Sequence, residues 1–65
     1  VRVVQEYLNT LARAYPLPRV TVDSIYGPAT ENAVQAFQRL FGLTADGIVG
    51  PRTWERLVGT RLLLR

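Results

Sequence analysis

One short motif occurs twice in this 65-residue chain, and the repeat constrains what the chain can fold into. The segments DSIYGPAT at 23–30 and DGIVGPRT at 46–53 align at an offset of 23 residues. Five positions are identical in the two copies: Asp23 and Asp46, Ile25 and Ile48, Gly27 and Gly50, Pro28 and Pro51, Thr30 and Thr53. A repeat at a fixed offset predicts two copies of one structural unit.

Each copy is typical of a loop that begins a helix. Proline is well tolerated at the first helical position, because its missing N–H would lack a partner there and its ring presets the helical φ. The glycine before it occupies the N-cap position. We expect Asp23 and Asp46 to accept hydrogen bonds from N–H groups of their own loops and to face the positive helix end. The hydroxyl groups of Thr30 and Thr53 are expected to meet the backbone of the turn. These residues therefore predict scaffold rather than a ligand site.

Apolar residues at helical spacing predict three helices, over 1–15, 28–41 and 51–58. Tyr15-Pro16 is expected to end the first helix, because the residue before proline avoids the helical region. Gly42 and Gly59 are expected to close the second and third helices. Helices with short connections predict an all-α compact three-helix bundle, in which Gln38 is expected on the solvent side. The predicted core comprises Val4, Leu8, Leu11, Ile25, Ala33, Phe37, Leu40, Leu43, Ile48, Trp54 and Leu57.

Composition limits the chemistry available to the chain. It contains neither cysteine nor histidine, so a conventional zinc site and a histidine-assisted nucleophile are both excluded. Five carboxylates remain, and a chain of this length offers little cleft for a glycosidase pair. We therefore expect no catalytic residues, no metal and no cofactor.

Residues 1–65 are expected to form a single domain excised from a larger protein, with 60–65 outside the repeat pattern. Leu62, Leu63 and Leu64 in this tail either pack over the first helix or form an exposed apolar patch. No apolar run approaches the roughly 18 residues of a membrane helix, so membrane insertion is not expected.

The motifs together resemble a known family, the small three-helix peptidoglycan-binding domain 1 attached to cell-wall hydrolases. The resemblance rests on VRVVQEYLN followed by Leu11, then VDSIYGPAT, AVQAFQRLFGL, ADGIVGPRTW and Leu57. It spans residues 1–57, and two DGxxGPxT-type loops separated by FQxxxGL are specific to it. Ser24 departs from the pattern, since the second copy has Gly47 at the same place. If that position requires a positive φ, serine carries a steric cost there.

The resemblance implies a non-catalytic module that binds bacterial peptidoglycan and targets an attached hydrolase or other wall enzyme to its substrate. It also implies an extracellular, cell-wall or periplasmic location. The partners would be the peptidoglycan glycan or stem peptide and a catalytic domain elsewhere in the parent chain. The family motif is largely scaffold, so the ligand site has to be argued from other residues.

Positions that differ between the two copies are the candidates for binding. Arg52, beside the start of the third helix, is the best-placed cation for a carboxylate, and Tyr26 is the best-placed aromatic residue. Trp54 either stacks on a sugar or lies in the core. Gln5 and Gln38 either bind a peptide stem or tie helices to loops.

Two other classes of function remain open at this point. A docking or oligomerisation module would use the 62–64 segment or a helical face. A small basic helical domain could bind nucleic acid, since the net charge is +3. The arginines are spread along the chain, however, and no recognition helix is evident, so no nucleic-acid partner is expected.

Overall fold

A computed structural model describes residues 2–63. Three helices follow one another: α1 (Arg2–Leu11), α2 (Pro28–Leu40) and α3 (Pro51–Leu63). α1 packs against both of the others, and no strand occurs among residues 2–63. The predicted all-α three-helix bundle is confirmed.

The first helix is shorter than predicted, ending at Leu11 instead of residue 15. Beyond it, the N–H of Arg13 bonds the carbonyl of Thr10 at 3.3 Å and that of Ala14 bonds Leu11 at 3.0 Å. These three-residue bonds tighten the chain into a turn before Tyr15-Pro16 is reached. Val1, at the other end of the prediction, lies outside the described residues.

The third helix is longer than predicted, running to Leu63 through Gly59. Gly59 does not have a positive φ, and Thr60 after it is buried, continuing the inward face of Thr53 and Leu57. One interior glycine costs a helix only about 1 kcal/mol, which packing on both sides of it outweighs. Leu63 is consequently 83% exposed, so this segment does not pack over α1. Leu64 lies outside the described residues.

The end of α2 follows the prediction. Gly42 has φ 71°, and its N–H bonds the carbonyl of Arg39 at 3.3 Å. The N–H of Leu43 reaches back to the carbonyl of Gln38 at 2.7 Å. This pair of bonds is a Schellman motif, and it directs the chain from α2 into the second repeat loop.

Six of the predicted core residues are buried, and Leu43 is partly buried against them. The buried apolar residues are Val4, Leu8, Leu11, Leu17, Val20, Ala33, Val34, Phe37 and Leu57. Leu17 and Val20 were not predicted, because they belong to an irregular connection with no periodicity. Asn9 holds that connection on the core, donating to the carbonyl of Val20 at 2.7 Å and accepting its N–H at 2.8 Å.

Four residues predicted in the core are exposed instead: Ile25, Leu40, Ile48 and Trp54. Leu40 lies at the edge of the α2 stripe, where Gln38 and Phe37 take the inward positions. Trp54 lies at the seam between α1 and α3. The two isoleucines are turned outward by their loops.

Candidate ligand-binding site beside the repeat loops

A buried glutamine holds the first loop, residues 23–27. Gln5 of α1 is fully buried, and its Nε2 donates to Asp23 Oδ1 at 3.0 Å, to the Ile25 carbonyl at 3.1 Å and to Thr30 Oγ1 at 3.0 Å. Its Oε1 accepts the N–H groups of Asp23 at 3.1 Å and Ser24 at 3.0 Å. One side chain therefore fastens the whole loop to α1 and to the start of α2. The Thr30 hydroxyl also meets the Ile25 carbonyl at 3.4 Å, as predicted.

Gln38 of α2 makes equivalent contacts with the second loop, residues 46–50, except that the N–H of Asp46 bonds the carbonyl of Thr44 instead of the glutamine. Its Nε2 donates to Asp46 Oδ1 and the Ile48 carbonyl, each at 3.0 Å, and to Thr53 Oγ1 at 3.1 Å. Its Oε1 accepts the Gly47 N–H at 2.9 Å. Gln38 is fully buried, so its predicted solvent position is wrong, and the hypothesis that glutamines tie helices to loops is correct.

The sequence repeat conceals this pairing, because the two glutamines are 33 residues apart while the loops are 23 apart. The connection after α1 absorbs the difference. A signal was nevertheless present. Each glutamine follows an apolar residue by four positions, Val1 or Val34, and precedes another by three, Leu8 or Phe41. That spacing places both glutamines on the buried stripe.

The two motif aspartates accept N–H groups of their own loops, as predicted. Asp23 Oδ1 accepts the N–H of Ile25, and Asp46 Oδ1 that of Ile48, each at 2.9 Å. These backbone N–H bonds, followed by the glutamine bonds, hold the pKa of both carboxyls below 3.8. Each isoleucine has its N–H and its carbonyl satisfied inside the loop. Its side chain projects outward and is 66% exposed.

The residue after each aspartate has a left-handed backbone. Ser24 has φ 64° and Gly47 has φ 72°, so the two loops share one conformation. Serine therefore carries the predicted steric cost, while its side chain points into solvent. Gly47 is buried, and a Cβ there would lie 2.7 Å from Glu31 Cγ. Packing against α2 thus requires glycine in the second loop alone.

Tyr26 joins the two loops. Its hydroxyl donates to the carbonyl of Gly47, and its ring is 39% exposed. Burial raises the pKa of this hydroxyl above 10.0, with smaller contributions from the charges of Glu31 and Asp46. The ring lines a hollow of about 430 Å³ with Val4, Gly47, Ile48 and Val49. The polar tip of Tyr26 is therefore engaged within the protein, and only the ring faces the hollow.

Arg52 lines a separate, shallow groove of about 510 Å³. Its walls are the turn after α2, the second loop and the first turn of α3: Gly42, Leu43, Thr44, Asp46, Ile48, Gly50, Pro51, Arg52 and Thr53. Arg52 is exposed and forms no ion pair within the described residues. The groove therefore combines a guanidinium, the Asp46 carboxylate and the first N–H groups of a helix.

The predicted binding residues Tyr26 and Arg52 do not share one pocket. They lie in adjacent hollows, and Ile48 lines both. Sequence reasoning missed Ile48 as a surface residue because an isoleucine in a loop motif is typical of the core. Its exposure follows from the hydrogen bonds that hold its backbone inside the loop.

Residues 2–63 contain no group of three carboxylate side chains positioned to hold a metal ion. None of the three helices has the length and apolar character needed to cross a membrane.

Comparison with known proteins identifies relatives along most of the chain. Residues 1–57 match the family described as "Putative peptidoglycan binding domain". The chain is 45% identical over 60 residues to the N-acetylmuramoyl-L-alanine amidase CwlL of Bacillus licheniformis, covering 88% of the chain and 16% of the amidase. It is 49% identical over 39 residues to a zinc D-Ala-D-Ala carboxypeptidase of Streptomyces albus G, covering 60% of the chain and 15% of that enzyme.

A third relative is an uncharacterized protein encoded in the bpoA1 3′ region of Kitasatospora aureofaciens, 50% identical over 52 residues. The match covers 80% of the chain and 41% of that protein, so the chain spans less than half the length of these relatives. No solved structure gives a significant match. The family match covers most of the chain and includes both repeat loops, and the chain therefore belongs to the peptidoglycan-binding domain family.

Proposed function

We propose that this domain holds an attached wall enzyme on peptidoglycan by binding its ligand in the groove beside Arg52. Membership of the peptidoglycan-binding family supports the class of ligand. The observation that carries the location is an exposed arginine that forms no ion pair within residues 2–63, at a helix start, on the wall of a groove of about 510 Å³.

The charges of the groove favour the peptide part of peptidoglycan. Arg52 can form a two-pronged bond with a carboxylate, and the N–H groups at the start of α3 add to the attraction. Asp46 on the same wall remains ionised at neutral pH, because its pKa is lowered. It would repel a simple anion and attract an amine. A stem peptide carries free carboxylates together with amino groups, so a zwitterionic end suits both charges.

The apolar wall of the groove suits the remaining parts of such a ligand. Ile48 is rigidly presented and offers methyl groups to alanine side chains or to acetamido methyl groups. The ring of Tyr26 extends this apolar surface into the neighbouring hollow. In this arrangement Tyr26 contributes packing contacts, while its hydroxyl keeps the two loops together.

The relatives suggest what kind of parent protein contains this domain. An amidase and a carboxypeptidase each contain a region similar to this chain as a minor part of their length. Residues 1–65 would then be a single non-catalytic domain of a longer wall hydrolase acting outside the cell. Binding would raise the local concentration of the attached enzyme at its substrate.

Co-sedimentation with purified sacculi tests this proposal. Arg52→Ala is expected to weaken binding by roughly ten- to a hundredfold, since a charge-assisted bond is worth roughly 1.5–3 kcal/mol. Arg13→Ala is the matched control, because Arg13 is also exposed and the change in net charge is the same. Equal binding by the two variants would place the ligand elsewhere.

Amide NMR shifts on titration with a muropeptide locate the site independently. We expect shifts to cluster on residues 42–53. Shifts confined to α1, with both loops unaffected, contradict the groove as the site.

A docking module is the second candidate, and the exposure of Leu62 and Leu63 at the end of α3 favours it. These leucines would pack on the catalytic domain of the parent chain. This reading predicts that the isolated domain does not pellet with sacculi. It also predicts that Leu63→Ser releases the domain from its catalytic partner.

A further inference from the structure

Three side chains form a stack along the seam between α1 and α3. The rings of Tyr7 and Trp54 lie 5.8 Å apart between centroids, with an angle of 5° between their planes. The guanidinium carbon of Arg61 lies 5.5 Å from the centroid of the Tyr7 ring. Trp54 and Arg61 are two helical turns apart on the same side of α3, so Tyr7 contacts both.

This stack lies at the border between core and surface, because Tyr7 packs against the core while Trp54 is exposed. Trp54 is 38% exposed, and Tyr7 and Arg61 are partly exposed. Arg61 Nε is buried and has no hydrogen-bond partner among the described residues. A stacked aromatic pair thus lies beside a guanidinium whose Nε–H lacks a partner within residues 2–63.

We propose that Tyr7, Trp54 and Arg61 form a second binding surface, which takes the N-acetylated sugar chain of peptidoglycan. The inference extends the proposed wall-binding function by naming the glycan as the ligand of a distinct face. A pyranose ring presents an apolar face of C–H groups that packs on an aromatic ring, as apolar groups do on tryptophan. The acetamido carbonyl beside it accepts hydrogen bonds from the guanidinium. A neutral sugar needs no ion pair, and the stack contains no carboxylate.

This surface is separate from the groove. Trp54 follows Arg52 by two residues, which places the two side chains about 200° apart around the helix axis. Buried Thr53 and Leu57 lie between these two flanks of α3. The two flanks of α3 therefore bind different parts of the polymer. A glycan strand would occupy one flank and a stem peptide the other.

The chain contains one tryptophan, so the intrinsic fluorescence of the folded protein reports directly on this surface. The probe is the neutral N-acetylglucosamine tetramer, which lacks peptide and carboxylate. We expect it to cause a saturable change in Trp54 emission in the wild-type protein and in Arg52→Ala alike. Tyr7→Leu and Arg61→Lys keep the reporter and should bind the tetramer about tenfold more weakly or undetectably.

Arg61→Lys keeps the charge and removes only the planar guanidinium, so it remains informative if Tyr7→Leu fails to fold. An unchanged emission with the tetramer, while the wild-type protein still pellets with sacculi, overturns this inference and leaves the proposed function standing. A response to the tetramer without binding to sacculi supports the sugar surface and refutes the groove. A Trp54 response only to the parent catalytic domain would assign the face to docking and overturn the inference.

Discussion

Replacing Gln38 by glutamate tests the hydrogen bonds by which this side chain holds the second loop, because the shape of the side chain is kept. The two side chains are nearly identical in volume, so no cavity forms. The substitution replaces an NH₂ group that donates to Asp46 Oδ1, the Ile48 carbonyl and Thr53 Oγ1 by an oxygen at the same place. The bond from the Gly47 N–H to Oε1 is retained.

The expected loss of stability is large at neutral pH. The Asp46 and Ile48 oxygens each lose a donor and face another oxygen about 3.0 Å away. Each net hydrogen bond is worth about 1 kcal/mol, and a buried acceptor without a donor costs about 1–3 kcal/mol. Adding the burial of a carboxylate, we expect the free energy of unfolding to fall by about 3–5 kcal/mol. A domain of this size has roughly 3–10 kcal/mol in total, so the loss is a large fraction of its stability.

The pH dependence gives the sharper test. Burial and the Asp46 carboxylate disfavour ionisation of the new glutamate, so its pKa in the folded state is raised above its ordinary value of about 4.3. Stability from such a group is present below the unfolded pKa and is lost as pH rises through the folded pKa. The free energy of unfolding of the variant should therefore increase as the pH is lowered from about 7 to about 5, while that of the wild-type protein changes little.

Urea unfolding followed by Trp54 fluorescence measures both effects, with linear extrapolation to water at each pH. Asn32→Asp is the matched control, because it makes the same amide-to-acid change at an exposed site on α2. A decrease in the free energy of unfolding of less than about 1 kcal/mol at pH 7 would refute the conclusion that the hydrogen bonds of Gln38 hold the second loop. So would a pH dependence parallel to that of the wild-type protein.

Three further predictions concern backbone and charge. Ser24→Gly should stabilise the domain by up to about 1 kcal/mol, since it relieves a left-handed residue, whereas Gly47→Ser should destabilise it by more, because its Cβ would also meet Glu31. Thermal unfolding of the pair checks the sign of both; destabilisation by Ser24→Gly contradicts the strain. Gly59→Ala has open space and should stabilise α3 by about 1 kcal/mol, measured by urea unfolding; no gain would indicate that the helix ends earlier in solution. The lowered pKa values of Asp23 and Asp46 predict stability that is present above pH 3.8 and is lost as pH falls through their folded pKa values. Circular dichroism during acid titration, with Asp46→Asn expected to flatten the curve, tests this; an unchanged curve in that variant contradicts it.

Local rules in the sequence were enough to predict the helix starts and one helix end. Proline after glycine begins α2, with Gly27 as its N-cap, and the same dipeptide begins α3. Gly42 ends α2 because a left-handed residue is cheap only for glycine. These helix boundaries are set within a few neighbouring residues, where backbone sterics outweigh contacts with distant parts of the chain. Gly59 is also a glycine but does not end a helix, since burial of Thr60 beyond it continues α3.

The candidate site was only partly readable from the sequence, for a physical reason. Arg52 could be proposed as a binding residue because charge and helix position are local properties, and the structure places it on the wall of a groove. The hydroxyl of Tyr26 donates a hydrogen bond to a loop that is distant in sequence, and no local sequence pattern predicts that bond.

The sequence by itself determined the family, the three helices and the two repeated loops, because motif and periodicity are properties of neighbouring residues. Only the tertiary structure decided which groups Gln5 and Gln38 bind inside the protein and that Ile25, Ile48 and Trp54 are exposed. Periodicity assigns residues to a face by polarity alone. A glutamine that satisfies several backbone and side-chain groups at once can be buried without penalty, and an isoleucine whose backbone is held inside that network must turn outward.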